Sequence, residues 1–326
     1  VTDLNEHKPQ VRFETITEKN VLQRIDNYLL GRLKGVPKSK IYKVIRKGEV
    51  RINKKRCKPE TKLQLGDIIR IPPVFGVKEG NFANKISESL SALLDSAVLF
   101  EDDRLLVINK PSGLAVHGGS GINVGLIEAL RVKYADHQFL ELVHRLDRDT
   151  SGAIIVAKSR LALRALHAQF RDNQVNKIYH LAVHGKWPRH KTFVDAPLRK
   201  NELKSGERVV RVSQDGKPSK TFFRILSKQE NFSLVEAKPI SGRTHQIRVH
   251  AAFSQCPIVG DDKYIQDIVD NRHGMEKARL MLHARLIEFD LPAQARVKAE
   301  RVRIEAPYDE VYSKTLQKMN LQIDEV

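Results

Sequence analysis

The stretch LVHRLDRDTSGAIIVAK, Leu142 to Lys158, places His144, Arg145, Asp147, Arg148 and Asp149 directly before an apolar run. Charge that dense is ordinarily solvated surface, yet here it abuts a segment with the composition of a buried strand. Asp147 follows the apolar pair Leu142–Val143 and precedes the turn-forming residues Asp149 to Gly152. A carboxylate at the lip of a buried strand is partly desolvated, and a nearby arginine can hold it charged, ready to serve as nucleophile or base. A plain charged turn, with Asp147 and Asp149 as caps and the arginines in water, would have the same composition.

Two further stretches carry comparable residues. In PISGRTHQIRVHAAF, Ser241–Gly242 form a turn, Thr244 is placed to N-cap a helix, and His245 and Arg248 share a face of it. In KIYHLAV, strand alternation sets Tyr179, Leu181 and Val183 on one face, which predicts a buried ring whose hydroxyl needs a partner. Taken singly, these also suit a surface helix and a core tyrosine. Other chemistries find less support. The eight histidines from His137 through His250 include no HExxH pair, and HGGSGINVG lacks the Gly-Lys-Ser/Thr end of a P-loop. The only cysteines, Cys57 and Cys256, exclude a disulfide scaffold and a Cys-rich zinc site. Neither a metal nor a cofactor is expected.

The elements that must position these residues divide the chain. A length of 326 residues exceeds what one core usually serves, so one large domain and a smaller one are expected. The 57 Lys and Arg against 39 Asp and Glu give a formal +18, a field that attracts polyanions, of which nucleic acid is the commonest. Residues 1–19 read as an extended lead-in. From Val21, Leu22, Ile25, Leu29 and Leu33 recur at helical spacing, and Ile41, Val44 and Ile45 do so after GVPKS. Two short strands follow, EVRIN and DIIRIP, so residues 20–72 form a small helix–helix–strand–strand module. From Arg32 to Lys62 it carries thirteen Lys or Arg against two acids. Self-repulsion of that kind favours an anionic partner. Residues 73–95 lose periodicity and read as a linker.

From residue 96 to 320 the pattern is α+β. VLFEDDRLLVINK reads as a hairpin, GAIIVAK as a buried strand, and Arg160 to Arg171 as a helix with Ser159 as N-cap. Further strands at NKIYHLAVHG, KTFFRILS, FSLVEAKPI and ARLIEFDLP predict a mixed, mainly antiparallel sheet with helices packed on it. The polar start VTDLNEHKPQ lacks a signal-peptide core, and no run of about 18 apolar residues appears. A cytoplasmic protein with no membrane partner is expected.

The stretch RIDNYLLGRLKGVPKSKIYKVIRKGEVRINKKRCKPETKLQLGDIIRI resembles an S4 domain, a small RNA-binding unit. Lys54 stands where that family's turn has glycine. The resemblance implies RNA contacts from Lys38, Lys40, Lys43, Arg46, Lys47, Arg51, Lys54, Lys55 and Arg56. The ordered set HRLDRDTSG, KIYHLAV, GRTHQIRVH and RLMLHA is similar to the motifs of the RluA-type pseudouridine synthases, and the likeness runs from about Val21 to about Pro307. It implies a pseudouridine synthase fold with Asp147 as the catalytic aspartate, Arg248 as its basic partner, and Tyr179 stacking on the target uracil. It further implies that Arg145 helps displace the base and that Leu282 packs in the pocket, with His144, Arg243 and His245 as further substrate contacts. The partner implied is RNA, specifically large-subunit ribosomal RNA or an assembling large subunit, bound by a monomer. A non-catalytic RNA-binding or assembly factor is the alternative, but such a protein has no need of the full motif set.

Overall fold

The apolar positions between Ile25 and Ile45 lie on the inner faces of two short helices. The computed structural model describes residues 10–33, 36, 38–73, 86–118, 124–137, 139–202, 208–265, 273–292 and 300–322, and groups the chain into two units, Val1–Lys85 and Ile86–Val326. In the first unit the elements are β1 (Arg12–Thr15), α1 (Ile25–Arg32), α2 (Lys38–Arg46), β2 (Arg51–Ile52), β3 (Lys55–Arg56) and β4 (Ile68–Ile71). The strands form an antiparallel sheet in the order β1-β4-β2-β3, so part of the extended lead-in is an edge strand of this module. Ile25, Leu29, Ile41 and Ile45 pack against Ile16, Leu63 and Ile69 in one core. Leu22 does not join the helix its spacing suggested. Arg24 is the N-cap of α1, and Leu22 precedes it exposed, at φ 63°.

The second unit opens with α3 (Glu88–Ser96), whose N-cap Ser87 accepts a hydrogen bond from Leu90 N. The later part of the stretch read as a linker is therefore helical, and its residues 74–85 lie outside the described residues. Then come β5 (Val98–Glu101), β6 (Leu105–Lys110), α4 (Leu126–Lys133), β7 (Glu141–Leu142), β8 (Ser151–Ala157), α5 (Arg160–Arg171) and β9 (Asn176–His184). They are followed by β10 (Phe193–Asp195), β11 (Leu198–Glu202), β12 (Arg208–Val212), β13 (Lys220–Lys228) and β14 (Phe232–Pro239). The last elements are α6 (Gln246–Phe253), β15 (Leu282–Asp290), β16 (Arg301–Glu305) and α7 (Glu310–Lys318). The main sheet runs β10-β13-β14-β9-β15-β8-β6-β5, with β16 beside β15 and β7 beside β8. It is the mixed, mainly antiparallel sheet of an α+β protein, and β8 is buried along its whole length.

Among the described strands, β8 and β15 pair in parallel, through Ser151–His283 and Gly152–Ala284. Gly152 is required there. Its φ is +109°, and a Cβ would overlap the Ala284 backbone. This close crossing brings the residues just before β8 next to the start of β15 and, through β9, next to Tyr179, which pairs with Ala284 and Ala237. Helix α6 is tied to β13 by Thr221 Oγ1 and His250 Nδ1, 2.9 Å apart.

Candidate active site

Asp147 sits in the turn between β7 and β8, whose backbone is pinned from below. Lys110, fully buried, donates from Nζ to the carbonyls of Pro111, Leu114 and Arg148, each at 2.8 Å. Burial pushes its ammonium down to about 7, against the charges of Asp149 and Asp147, which favour the protonated form. Ser112 Oγ donates to Asp149 O at 2.7 Å, and Gly113 N donates to Arg148 O at 3.0 Å. His144 Nε2 accepts from Ile155 N at 3.1 Å, and its ring stacks on Phe170 at 4.9 Å. Burial, with Lys177 adding to it, pushes His144 down to about 3, so it is a neutral acceptor. His144 is not among the residues that line the pocket beside Asp147. Its half-buried ring turns toward β8, where the amide of Ile155 needs an acceptor.

The other half of the site comes from the start of α6. Thr244 is not the cap its position suggested. His245 is, in the left-handed region at φ 53° and without a side-chain capping bond. Gln246 does the tying instead. Its Oε1 accepts from Ser241 Oγ at 2.8 Å and Arg243 N at 3.0 Å, while Nε2 donates to Lys220 O and Thr221 Oγ1, each at 3.0 Å. So fixed, α6 presents Arg248. Its Nε and Nη2 donate to Asp261 at 2.8 and 2.7 Å, and Nη1 lies 3.5 Å from Asp147 Oδ2. The guanidinium also lies 5.1 Å from the Tyr264 ring centre. Asp261 and Asp147 raise its pKa over the opposing effect of burial, so the cation is permanent. His245 Nε2 is 3.8 Å from Asp147 Oδ2, and Nδ1 is 2.7 Å from the Tyr264 hydroxyl. Burial, helped by Arg248 and Lys263, outweighs Asp147 and lowers the imidazole, which favours its neutral form.

Between these halves lies a pocket of about 110 Å³, lined by Asp147, Tyr179, His245, Arg248 and Leu282. Arg145 and Arg243 stand at the same pocket, so seven of the eight residues expected there are brought together. Leu282, not its buried neighbour Met281, supplies the apolar wall. The Tyr179 hydroxyl has no hydrogen-bond partner among the described residues. Burial and then Asp147 push its phenol up, so it stays protonated. The volume suits one planar heterocycle, faced by a flat ring, a carboxylate and a fixed cation.

The sequence model for "RNA pseudouridylate synthase" matches residues 104–253, and that for the S4 domain matches residues 23–69. The ribosomal large subunit pseudouridine synthase C of Pasteurella multocida strain Pm70 is 53% identical over 313 residues, 94% of this chain and 93% of that one. Its namesake in Escherichia coli K12 is 50% identical over 315 residues, 95% of this chain and 97% of that one. The chain belongs to the RNA pseudouridylate synthase family.

The synthase also resembles the solved structure of human RNA pseudouridylate synthase domain containing 4, at 26% identity and TM-score 0.57, over 73% of this chain and 98% of that one. The synthase is thus an isomerase with an N-terminal S4 domain. Among its described residues, no group of His, Cys, Asp and Glu could hold a metal ion, and no helix is long and apolar enough to cross a membrane. On the S4 unit, Lys40, Lys43 and Arg46 are exposed along α2, Lys47 just after it, and Arg51, Lys54, Lys55 and Arg56 along the β2–β3 hairpin. The Lys38 side chain lies outside the described residues.

Sequence reasoning missed Lys110, Gln246, Asp261 and Tyr264. Gln246 stands inside the quoted GRTHQIRVH motif, and its amide was the one signal available. Asp261 lies in VGDDKY beside a second aspartate, and nothing in composition tells which of the two is buried.

Proposed function

We propose that the synthase converts uridines of large-subunit ribosomal RNA to pseudouridine, with Asp147 as the catalytic carboxylate. The target base leaves its stack at a cost of a few kcal/mol, which cationic contacts to RNA offset. Arg145, exposed at the mouth of the pocket, takes the space the base vacates. Tyr179 stacks on the uracil, worth roughly 1–3 kcal/mol by analogy with other base-stacking sites, and Leu282 closes the other side. Asp147 acts on the ribose, by attack at C1′ or by taking the neighbouring C2′ proton, as the N1–C1′ bond breaks. The carboxylate–C1′ bond is broken, or the C2′ proton returned, when C5 joins C1′. The ring turns, C5 bonds to C1′, the C5 proton is lost, and N1 gains a proton. Bonds and protons balance without a redox partner. Arg248 keeps the carboxylate placed, and Arg243 and His245 hold the rim of the pocket.

The observation that carries this reading is the Arg248–Asp147 approach of 3.5 Å inside a base-sized pocket walled by Tyr179 and Leu282. The rRNA assignment follows the names of the close relatives. With it go a monomer acting in the cytoplasm, on free RNA or an assembling large subunit, and a division into an S4-like module that includes β1, a linker, and a catalytic domain that begins with α3. The basic residues from Lys38 to Arg56 are the S4 module's RNA contacts. The test is tritium release from C5-labelled uridine in rRNA of cells lacking the protein. The wild type should release it and Asp147→Asn should not. Release by the variant would overturn the assignment.

A further inference from the structure

Tyr264 touches both of the groups that face Asp147. Its ring centre lies 5.1 Å from the Arg248 guanidinium, and its hydroxyl lies 2.7 Å from His245 Nδ1. Arg248 Nη1 and His245 Nε2 approach the same carboxylate oxygen, Asp147 Oδ2, at 3.5 and 3.8 Å. None of the steps at C1′, C2′ or C5 uses Tyr264, yet it is held from three sides. Its backbone N donates to Asp261 O at 3.2 Å, its side chain packs against Leu198, Val210 and Val249, and its hydroxyl accepts from Val210 N at 3.2 Å. That last bond decides where the hydroxyl proton goes. Burial pushes the phenol up to about 12, so the proton stays on the oxygen. With the Val210 N–H already aimed at that oxygen, the proton is left for His245 Nδ1. The imidazole can take it, because burial, Arg248 and Lys263 favour its neutral form against Asp147 and Asp261. A neutral imidazole that accepts at Nδ1 carries its own proton at Nε2.

We infer that Tyr264 is a positioning residue, which fixes His245 as the Nε2–H tautomer and so aims a second hydrogen-bond donor, beside Arg248, at Asp147 Oδ2. The inference rests on the proposed function, since the donor matters to turnover only if Asp147 reacts. At 3.8 Å the imidazole stands just outside hydrogen-bond range, and catalytic contacts of this kind tighten when substrate binds. The opposite tautomer would turn a lone pair toward the carboxylate and repel it. Because both donors face Oδ2, the other carboxylate oxygen is left to react with the ribose. The contacts also reach outward. Val210 belongs to β12, so the β11–β12 hairpin must be seated against α6 for Tyr264 to keep this orientation.

The test uses the full chain with nitrogen-15 in its histidines. The His245 signals, assigned by their loss in His245→Ala, should show a protonated Nε2 and a bare, hydrogen-bonded Nδ1 near neutral pH. Tyr264→Phe keeps the ring beside Arg248 and removes only the hydroxyl. It should give a mixture of tautomers and lower the single-turnover rate on an rRNA fragment about ten-fold, with KM within about two-fold. Made in the His245→Ala background, the same change should cost nothing more, because its effect runs through the imidazole. A wild-type His245 protonated at Nδ1 would overturn the inference, and that spectrum needs no variant of Tyr264 to fold. An unchanged rate in Tyr264→Phe, or losses that multiply independently with those of His245→Ala, would overturn it as well. Tritium release by Asp147→Asn would sink the catalytic reading and leave the tautomer as found.

Discussion

Arg248 serves two carboxylates at once. Asp261, fully buried, takes Nε and Nη2 at 2.8 and 2.7 Å, and Asp147 faces the remaining Nη1 at 3.5 Å. A bidentate pair fixes the plane of a guanidinium, which a single contact does not. Asp261 is therefore a positioning residue for Arg248, and it leaves Asp147 the looser, more reactive contact. Asp261→Asn should lower single-turnover kcat by ten- to a hundred-fold, with KM changed by less than about three-fold. Breaking a buried pair typically costs about 3–5 kcal/mol, so its melting temperature should fall as well. A variant that melts early yet keeps wild-type kcat would show that Asp261 acts on the fold alone.

His144 predicts an acid sensitivity. Its pKa is about 3 in the folded chain and ordinarily 6.5. Between those values the unfolded chain binds the proton and the folded chain does not, so stability rises with pH through the window and falls as pH drops below about 6.5. At pH 5 this one group removes about 2 kcal/mol relative to pH 8. Urea midpoints of wild type and His144→Gln should differ most near pH 8 and converge toward pH 5. A pH-independent difference would contradict the neutral, accepting role of the ring.

Gly152 sits where β8 and β15 cross in parallel. Alanine there meets both a φ of +109° and the Ala284 backbone, so a cost of about 3 kcal/mol or more is expected. The crossing lies five residues from Asp147, and its relief would move the turn that carries the carboxylate. Gly152→Ala should lower the urea midpoint and also kcat measured well below that midpoint. Loss of stability with kcat preserved would mean that the turn is anchored by Lys110 and Ser112 alone.

What the chain reveals by itself is its local order. The buried strand β8, the Ser159 cap of α5 and the β5–β6 hairpin each follow from a few adjacent residues, and Ser159 Oγ does accept from Ala162 N at 3.1 Å. The motifs picked out Asp147, Tyr179, Arg248 and Leu282 because their types and order are unusual together. What stayed hidden depends on distant partners. Asp261 and Lys110 matter through atoms far from them in sequence, His144 points inward to serve an amide eleven residues on, and Thr244 loses the cap because His245 adopts a left-handed backbone. No local spacing encodes those choices.

Lys54 offers a case where stability and binding should move in opposite directions. It and Asn53 join β2 to β3 with φ of 68° and 49°, the backbone of a two-residue hairpin turn with both central residues left-handed. Glycine suits the second of these positions, and a lysine there costs about 1 kcal/mol. Lys54→Gly should stabilise the S4 unit by about 0.5 kcal/mol after the added entropy of the unfolded chain is counted. If the lysine is retained for its charge, the same change should weaken RNA binding and reduce the salt slope by just under one unit. Chemical denaturation and a salt titration of RNA binding, run on the full chain, read the two effects separately. A variant that is more stable and binds RNA with an unchanged slope would remove Lys54 from the RNA-contacting set and leave the hairpin as a purely structural turn.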